Sequence, residues 1–247
     1  QHAVHGEDAP RAGALDDRLR TRRAPRQGVT PTTDRETLGR AILQVCRRLY
    51  DRGLVAGPDG NVSVRLPDES ILVTPSGLSK VDVTLDDLVI VHLDGSVLDG
   101  RRSPSSELAM HLRIYRRRDD VRAVVHAHPP TATGFAVAGE SFMAPVLPEV
   151  ILQMGAVPLV PYATPGTEDL PDAMEPFLAA HDAFLLANHG ATTVGQTLVA
   201  AHQRMESLEH AARILLAART VGRVNELTTA DANRLRGAGK GVRIADE

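Results

Sequence analysis

Two apolar runs that end on histidine constrain this chain most. Val121–Val125 leads into His126-Ala127-His128-Pro129-Pro130, and Ala183–Ala187 leads into Asn188-His189-Gly190. Short apolar runs bounded by proline, glycine and asparagine read as buried strands. Alternate residues of a strand point to one side, so His126 and His128 can project into a single pocket. His189 is expected where the second strand ends. Three neutral imidazoles that converge with one position left open form the usual cradle of a catalytic zinc ion, whereas a structural zinc site would more often close all four positions with thiolates. The chain has one cysteine, which nearly excludes the second option.

Composition narrows the functional classes. A length of 247 residues suffices for a proper core in one domain. A net charge of −3 gives no bulk argument for nucleic acid or a membrane surface, and the absence of tryptophan argues against base-stacking platforms. Cys46 cannot form an internal disulfide and is expected as a small buried side chain. No stretch approaches 18 apolar residues, and no signal-peptide core is visible at the N-terminus. The expectation is a cytoplasmic protein with neither nucleic acid nor membrane as partner.

Residues 1–32 are polar and arginine-rich, and read as a flexible extension or as an arm that packs on a neighbouring subunit. Thr33-Asp34-Arg35-Glu36 resembles a capping box ahead of a helix through Leu38, Ile42, Val45, Cys46 and Leu49, with Gly53 as its stop. A strand from Asn61 to Leu66 alternates Val62, Val64 and Leu66 with Ser63 and Arg65, a half-buried pattern, and pairs with Ile71–Thr74. Asp94-Gly95 then turns a second hairpin, so this part is a meander. Ser103-Pro104 is expected to open a helix carrying Leu108, Leu112 and Tyr115. Strands at 121–127, 157–160 and 183–187 alternate with helices at 130–138 and 168–180. A long helix follows from Thr197 to about Ala218, with Glu206, Glu209 and Arg213 on its wetter side. The catalytic domain is expected over 33–219, with a weakly fixed tail over 220–247 that holds one short helix. The mixture indicates an α/β fold, a three-layer α/β/α sandwich with a mixed, mostly antiparallel sheet.

Glu107 is the natural fourth member of the site, since a carboxylate can complete a metal shell and also act as a base. Taken alone it reads equally as a first-turn glutamate favoured by the helix dipole. Ser105 and Ser106 are expected at the second and third positions of the same helix, where hydroxyls and backbone N–H groups could hold an anion. Gly60-Asn61 and Thr74-Pro75-Ser76-Gly77 offer small side chains and backbone donors suited to phosphate, although each alone reads as a plain turn. No P-loop and no G-x-G-x-x-G run is present, so a small monophosphate fits better than a nucleotide.

Six segments, in order, resemble the class II aldolase/adducin family, of which fuculose-1-phosphate aldolases are typical members. They are Gly60-Asn61-Val62-Ser63, Thr74-Pro75-Ser76-Gly77, Pro104-Ser105-Ser106-Glu107, His126-Ala127-His128-Pro129, Pro161-Tyr162-Ala163-Thr164-Pro165-Gly166-Thr167 and Asn188-His189-Gly190. The resemblance spans roughly residues 34–218. It implies zinc, or else manganese or cobalt, on His126, His128 and His189, with Glu107 as metal-associated acid/base. It implies substrate phosphate on Gly60, Asn61, Ser76, Gly77, Ser105 and Ser106, and a homotetramer with its sites between neighbouring subunits.

The implied reaction is reversible cleavage of a ketose 1-phosphate, of the fuculose or 5-deoxypentulose type, to dihydroxyacetone phosphate and an aldehyde. Desolvation is expected to raise the Glu107 pKa for that work. Alternatives on the same scaffold are a methylthioribulose-1-phosphate dehydratase, a sugar-phosphate epimerase and a phosphorylated keto-acid decarboxylase. Glu107, where the family's epimerases carry Asp, speaks for an aldolase. The intact histidine set speaks against a non-enzymatic assembly module. The family's tyrosine proton donors are missing here, which leaves Glu149 or a water as donor. The apolar 142–154 segment suggests a small deoxy aldehyde. His111 is expected at the surface or behind the site, Tyr162 as a packed structural ring, and His202 in solvent.

Overall fold

The computed structural model describes residues 31–142 and 144–238. Most of the expected N-terminal extension, and residues 239–247 of the tail, lie outside the described residues.

Helix α1 (Pro31–Asp51) begins two residues before the expected start. Its apolar stripe of Ile42, Val45, Cys46 and Leu49 is buried, and Gly53 ends it at a positive φ of 65°. The expected meander follows as β1 (Asn61–Arg65), β2 (Ile71–Val73), β3 (Val89–Val91) and β4 (Val97–Asp99). After it come α2 (Leu108–Arg117), β5 (Ala123–Ala127), α3 (Pro130–Val137), α4 (Pro148–Gln153), β6 (Leu159–Val160), α5 (Asp169–Met174), β7 (Ala183–Leu186), β8 (Gly190–Gly195), α6 (Leu198–Val221) and α7 (Thr229–Ala238).

The eight strands form one sheet in the order β4-β3-β2-β1-β5-β8-β7-β6. All neighbours are antiparallel except β6 and β7. Alternating side chains send Val62, Val64, Leu72, Val125 and Leu185 to one face, where α1, α3 and α6 cover them. Ile71, Val73, Val124, Phe184 and Leu186 go to the other face, under α2 and α5. The fold is thus the expected three-layer sandwich. At about 1.5–3 kcal/mol per fully buried large aliphatic side chain, these two layers dominate the stability. Because helices cover both faces, every residue of β1 is buried, including Ser63 and Arg65, and the half-buried expectation for this strand fails.

Three further elements differ from expectation. Strand β8 (Gly-Ala-Thr-Thr-Val-Gly) carries no apolar run, yet it is the central partner of β5 and β7. The helix expected over 168–180 is α-helical only to Met174, and Glu175-Pro176-Phe177 continues as a single 3₁₀ turn. Ser103-Pro104 does not open α2. Pro104 instead bridges to Pro75, with Ser76 N–H donating to the Ser103 carbonyl (3.0 Å) and Ser105 N–H to the Thr74 carbonyl (3.2 Å). These bonds, to a segment about 30 residues away in sequence, override the local helix signal. The helix starts at Leu108 with Glu107 as its cap residue.

Glu209 is buried rather than on a wet face, and His202 is buried as well. The Glu209 carboxylate accepts the N–H groups of Thr131 (3.0 Å) and Ala132 (2.9 Å), which caps α3 immediately after the His126–Pro130 segment. In the tail, α7 packs on α4: Ala232 is buried and Leu227 N–H donates to the Pro145 carbonyl. Among the described residues, no helix is long and apolar enough to cross a membrane.

Candidate metal centre and anion loops

Sheet register assembles the site. Asn61 of β1 lies directly opposite His126 of β5, and His126 lies opposite Thr192 of β8. Cross-strand pairs on one face approach closely, so Asn61 and His126 share the α2 side of the sheet. His128 follows β5, held by its own N–H to the Leu54 carbonyl (2.9 Å). His189 occupies the tight β7–β8 turn, whose Asn188 adopts a φ of 55°. A Cβ on Gly190 would meet the Ala127 carbonyl and the His128 ring at 2.6 Å, so only glycine lets the turn close on the histidine pair.

The three imidazoles converge as expected. The Nε2 atoms of His126 and His128 are 3.1 Å apart, and one ligand nitrogen from each of the three rings lies within 4.8 Å of the others. Glu107 reaches in from the start of α2, with Oε2 at 3.1 Å from His126 Nε2 and Oε1 at 3.1 Å from His189 Nε2. His126 Nδ1–H donates to the Ala191 carbonyl (2.9 Å), which leaves its Nε2 lone pair facing the pocket. Asp59 lies 3.5 Å behind His128 Nδ1.

A divalent cation fits this set. Two imidazole nitrogens on one tetrahedral zinc stand roughly 3.3 Å apart, given bonds of about 2.0–2.1 Å. At 3.1 Å, His126 Nε2 and Glu107 Oε2 need positive charge between them, a proton on the ring or a bound cation. Among the described residues, buried Glu107 Oε1 and His189 Nδ1 have no partner that meets hydrogen-bond geometry. His128 is pushed down to about 4, first by burial and then by the neighbouring His126 and His189, so its ring is neutral at pH 7. Burial alone would raise Glu107, as expected from sequence. The two imidazoles beside it, His126 and His189, outweigh burial and hold its carboxyl well below the ordinary range.

The three anion elements also come together. Thr74 N–H donates to the Val62 carbonyl (3.0 Å) and its hydroxyl accepts Val62 N–H (3.1 Å), which ties the Gly60-Asn61 element to the Thr74–Gly77 loop. That loop is in turn bonded to Ser103–Ser105. Gly60 has a φ of 73°, and a Cβ there would lie 2.7 Å from the His126 carbonyl. Ser76, Gly77 and Ser106 are exposed. Ser105 is buried, and its hydroxyl accepts Glu107 N–H (3.2 Å). The Asn61 side chain is turned to Glu107, donating to Oε2 at 2.8 Å, so it is not directed to the place expected for phosphate.

Sequence reasoning missed Lys80. This buried lysine donates to the Pro58 and Leu78 carbonyls, both at 2.9 Å, and so clamps the two glycine loops together. Its position three residues after Gly77 was the available signal. Of the two places expected for His111, the structure gives the one behind the site, completely buried against Asn61. Tyr162 is not a packed ring but 62% exposed. Glu149 lies exposed in the first turn of α4, and no hydrogen bond or ion pair joins it to the cluster within the chain.

The model for the Class II Aldolase and Adducin N-terminal domain matches residues 40–216. The chain belongs to this family. Among class II aldolase relatives, a 3-oxo-tetronate 4-phosphate decarboxylase of Escherichia coli is 34% identical over 184 residues, covering 73% of this chain and 86% of the relative. A 5-deoxy-D-ribulose 1-phosphate aldolase of Bacillus thuringiensis is 36% identical over 183 residues, covering 73% and 85%. The solved structure of an L-fuculose 1-phosphate aldolase superposes with a TM-score of 0.77 at 30% identity, covering 82% of this chain and 95% of that one. The chain is thus an enzyme of the class II aldolase superfamily.

Proposed function

We propose that the chain is a divalent-metal-dependent aldolase, with zinc as the resident ion, that reversibly cleaves a ketose 1-phosphate to dihydroxyacetone phosphate and an aldehyde. One observation carries the reading: a buried carboxylate, Glu107, has its two oxygens 3.1 Å from the Nε2 atoms of His126 and His189. A divalent ion held by His126, His128 and His189 would supply electrophilic pull on the substrate's ketone oxygen.

In the synthetic direction Glu107 takes a proton from the hydroxymethyl carbon of dihydroxyacetone phosphate. The electron pair of that C–H bond passes into the carbonyl and gives an enediolate. The same carbon then bonds to the aldehyde carbon, and the aldehyde oxygen gains a proton. In cleavage the hydroxyl on C4 loses its proton, the C3–C4 bond breaks, and Glu107 returns a proton to C3. The Gly60, Ser76, Gly77, Ser105 and Ser106 elements hold the phosphate, which aligns the reacting end at low entropic cost. The donor to the aldehyde oxygen is water or Glu149, the latter from a neighbouring copy. We extend the reading to a homotetramer with its sites between subunits, a reading supported by the exposure of Tyr162, Val137 and Leu216.

A second reading is decarboxylation of a phosphorylated keto acid. The Ala144–Val150 segment, which has no tyrosine, favours it, because loss of carbon dioxide creates no alkoxide that needs a donor. Glu107 would again protonate the carbon left behind. A panel of phosphorylated ketoses and keto acids, with products weighed by mass spectrometry, separates the two: triose phosphate plus aldehyde, or carbon dioxide. Glu107→Gln should lower kcat by about 10²–10⁴-fold with metal content retained. Near-native turnover in that variant would remove Glu107 from the mechanism.

A further inference from the structure

We infer that His111 is a positioning residue for Glu107, acting through Asn61 as the middle of a buried, one-directional hydrogen-bond chain that begins at Tyr115. The inference rests on Glu107 being the proton carrier. Its geometry comes from two interleaved rows. Glu107, His111 and Tyr115 recur every fourth residue along α2, and Asn61 and Ser63 alternate along β1 on the facing side of the sheet. Tyr115, Ser63 and His111 are fully buried, and Asn61 is 3% exposed.

The direction of each bond follows from one end. An ionised carboxylate only accepts, so the Asn61 amide N–H donates to Glu107 Oε2 at 2.8 Å. The Asn61 amide oxygen is then turned to His111 Nε2, which must donate to it. Burial holds the His111 ring neutral, with its pKa pushed down to about 3, so Nδ1 carries a lone pair. Ser63 therefore donates its hydroxyl proton to His111 Nδ1 (2.7 Å), and the Ser63 oxygen accepts from the Tyr115 hydroxyl (2.8 Å). The Tyr115 oxygen is itself met by Val124 N–H, and the Arg65 guanidinium lies over the Tyr115 ring at 5.1 Å. No member can rotate without leaving a buried polar atom unpaired, which would cost far more than the bond itself contributes.

The chain makes the two oxygens of Glu107 unequal. Oε2 is held by Asn61, while Oε1 faces His189 Nε2 at 3.1 Å. His111 keeps Asn61 from turning its amide over, which would set an oxygen against the carboxylate.

The test uses the full-length, metal-loaded protein with Ser63→Ala, His111→Phe and Tyr115→Phe. His111→Phe should lower kcat by about 10–100-fold, with KM and bound metal unchanged, and Ser63→Ala and Tyr115→Phe should have progressively smaller effects. Ser63→Ala and Tyr115→Phe keep the inference testable if His111→Phe fails to fold. A second arm needs no turnover. Nitrogen-15 NMR should show His111 as the neutral Nε2–H tautomer at pH 7, and the Asn61 side-chain amide protons as slow to exchange, with that protection lost in His111→Phe. Variants that keep kcat within about twofold, or an Nδ1–H tautomer, would overturn the inference. If the wild-type protein turns over no phosphorylated ketose or keto acid, the proposed function fails, and the NMR arm still decides whether His111 fixes Asn61.

Discussion

The histidine cluster and the neighbouring loops at Gly60, Thr74–Gly77 and Ser103–Ser106 are built by different means. The cluster is made of side chains: three imidazoles and a carboxylate, backed by Asn61, Asp59 and the Ala191 carbonyl. The loops are made mainly of backbone: the N–H groups around Gly60 and Gly77 and the exposed hydroxyls of Ser76 and Ser106. The difference follows from their tasks. A zinc ion, as proposed, needs a few donors at fixed distances, whereas a phosphate presents many oxygens and tolerates many donors. The cluster is accordingly backed by hydrogen bonds with Asn61, the Ala191 carbonyl and the Leu54 carbonyl. The loops are tied to each other at their bases, through Thr74, Ser103 and Lys80, and left open at their tips.

Two glycines with nearly the same backbone angle break the comparison most sharply. Gly60 (φ 73°) and Gly77 (φ 75°) are both left-handed, but a Cβ at Gly60 would strike the His126 carbonyl at 2.7 Å, while at Gly77 it meets nothing within 4 Å. Gly60→Ala should cost about 3 kcal/mol, the sum of left-handed strain and overpacking. It should also displace His126 and weaken metal binding. Gly77→Ala should cost only about 1 kcal/mol and leave the metal in place. Thermal denaturation with metal analysis measures both, and equal losses would mean that the two sites are no different in rigidity.

How much of this was legible beforehand divides along the same line. The convergence of His126, His128 and His189 followed from strand alternation and short apolar runs, and the first hairpins followed from their turn residues. What stayed hidden depends on partners distant in the chain. β8 has no apolar run and exists because β5 and β7 flank it. The start of α2 is set by Thr74 and Pro75, not by Ser103-Pro104. Glu209 reads as a surface charge until α3 offers its N-terminus. The row Glu107, His111, Tyr115 was visible at helical spacing, but its meaning needs β1 opposite it.

Acid should sharpen the comparison next, because His111, the fully buried histidine behind Asn61, belongs to the side-chain half of the site. His111 has a folded pKa of about 3 against an ordinary 6.5, for burial disfavours its charged form. Between those values the unfolded chain binds a proton that the folded chain refuses. Stability should therefore fall as pH drops below 6.5, by about 1.4 kcal/mol per pH unit from this group, and level off near pH 3. Denaturant titrations in a pH series should give His111→Gln a slope shallower by one proton. An unchanged slope would mean that the ring is charged in the folded protein.

The smallest effect is expected at the open end of the loops. Ser106 is exposed and no hydrogen bond holds its hydroxyl among the described residues, whereas the Ser105 hydroxyl next to it accepts Glu107 N–H. Ser106→Ala removes nothing the folded protein uses, so its Tm should match the wild type. Only a bound phosphate can register the loss. A hydrogen bond to a charged phosphate is worth about 1.5 kcal/mol at the low end, so KM for the phosphorylated substrate should rise by roughly tenfold with kcat unchanged. Ser105→Ala should lower Tm and kcat together, because it releases the cap of α2 that aims Glu107. A Ser106→Ala protein that loses kcat while holding KM would show that the helix start serves the reacting carbon rather than the phosphate, and the division of labour between side-chain cluster and backbone loops would have to be redrawn at that residue.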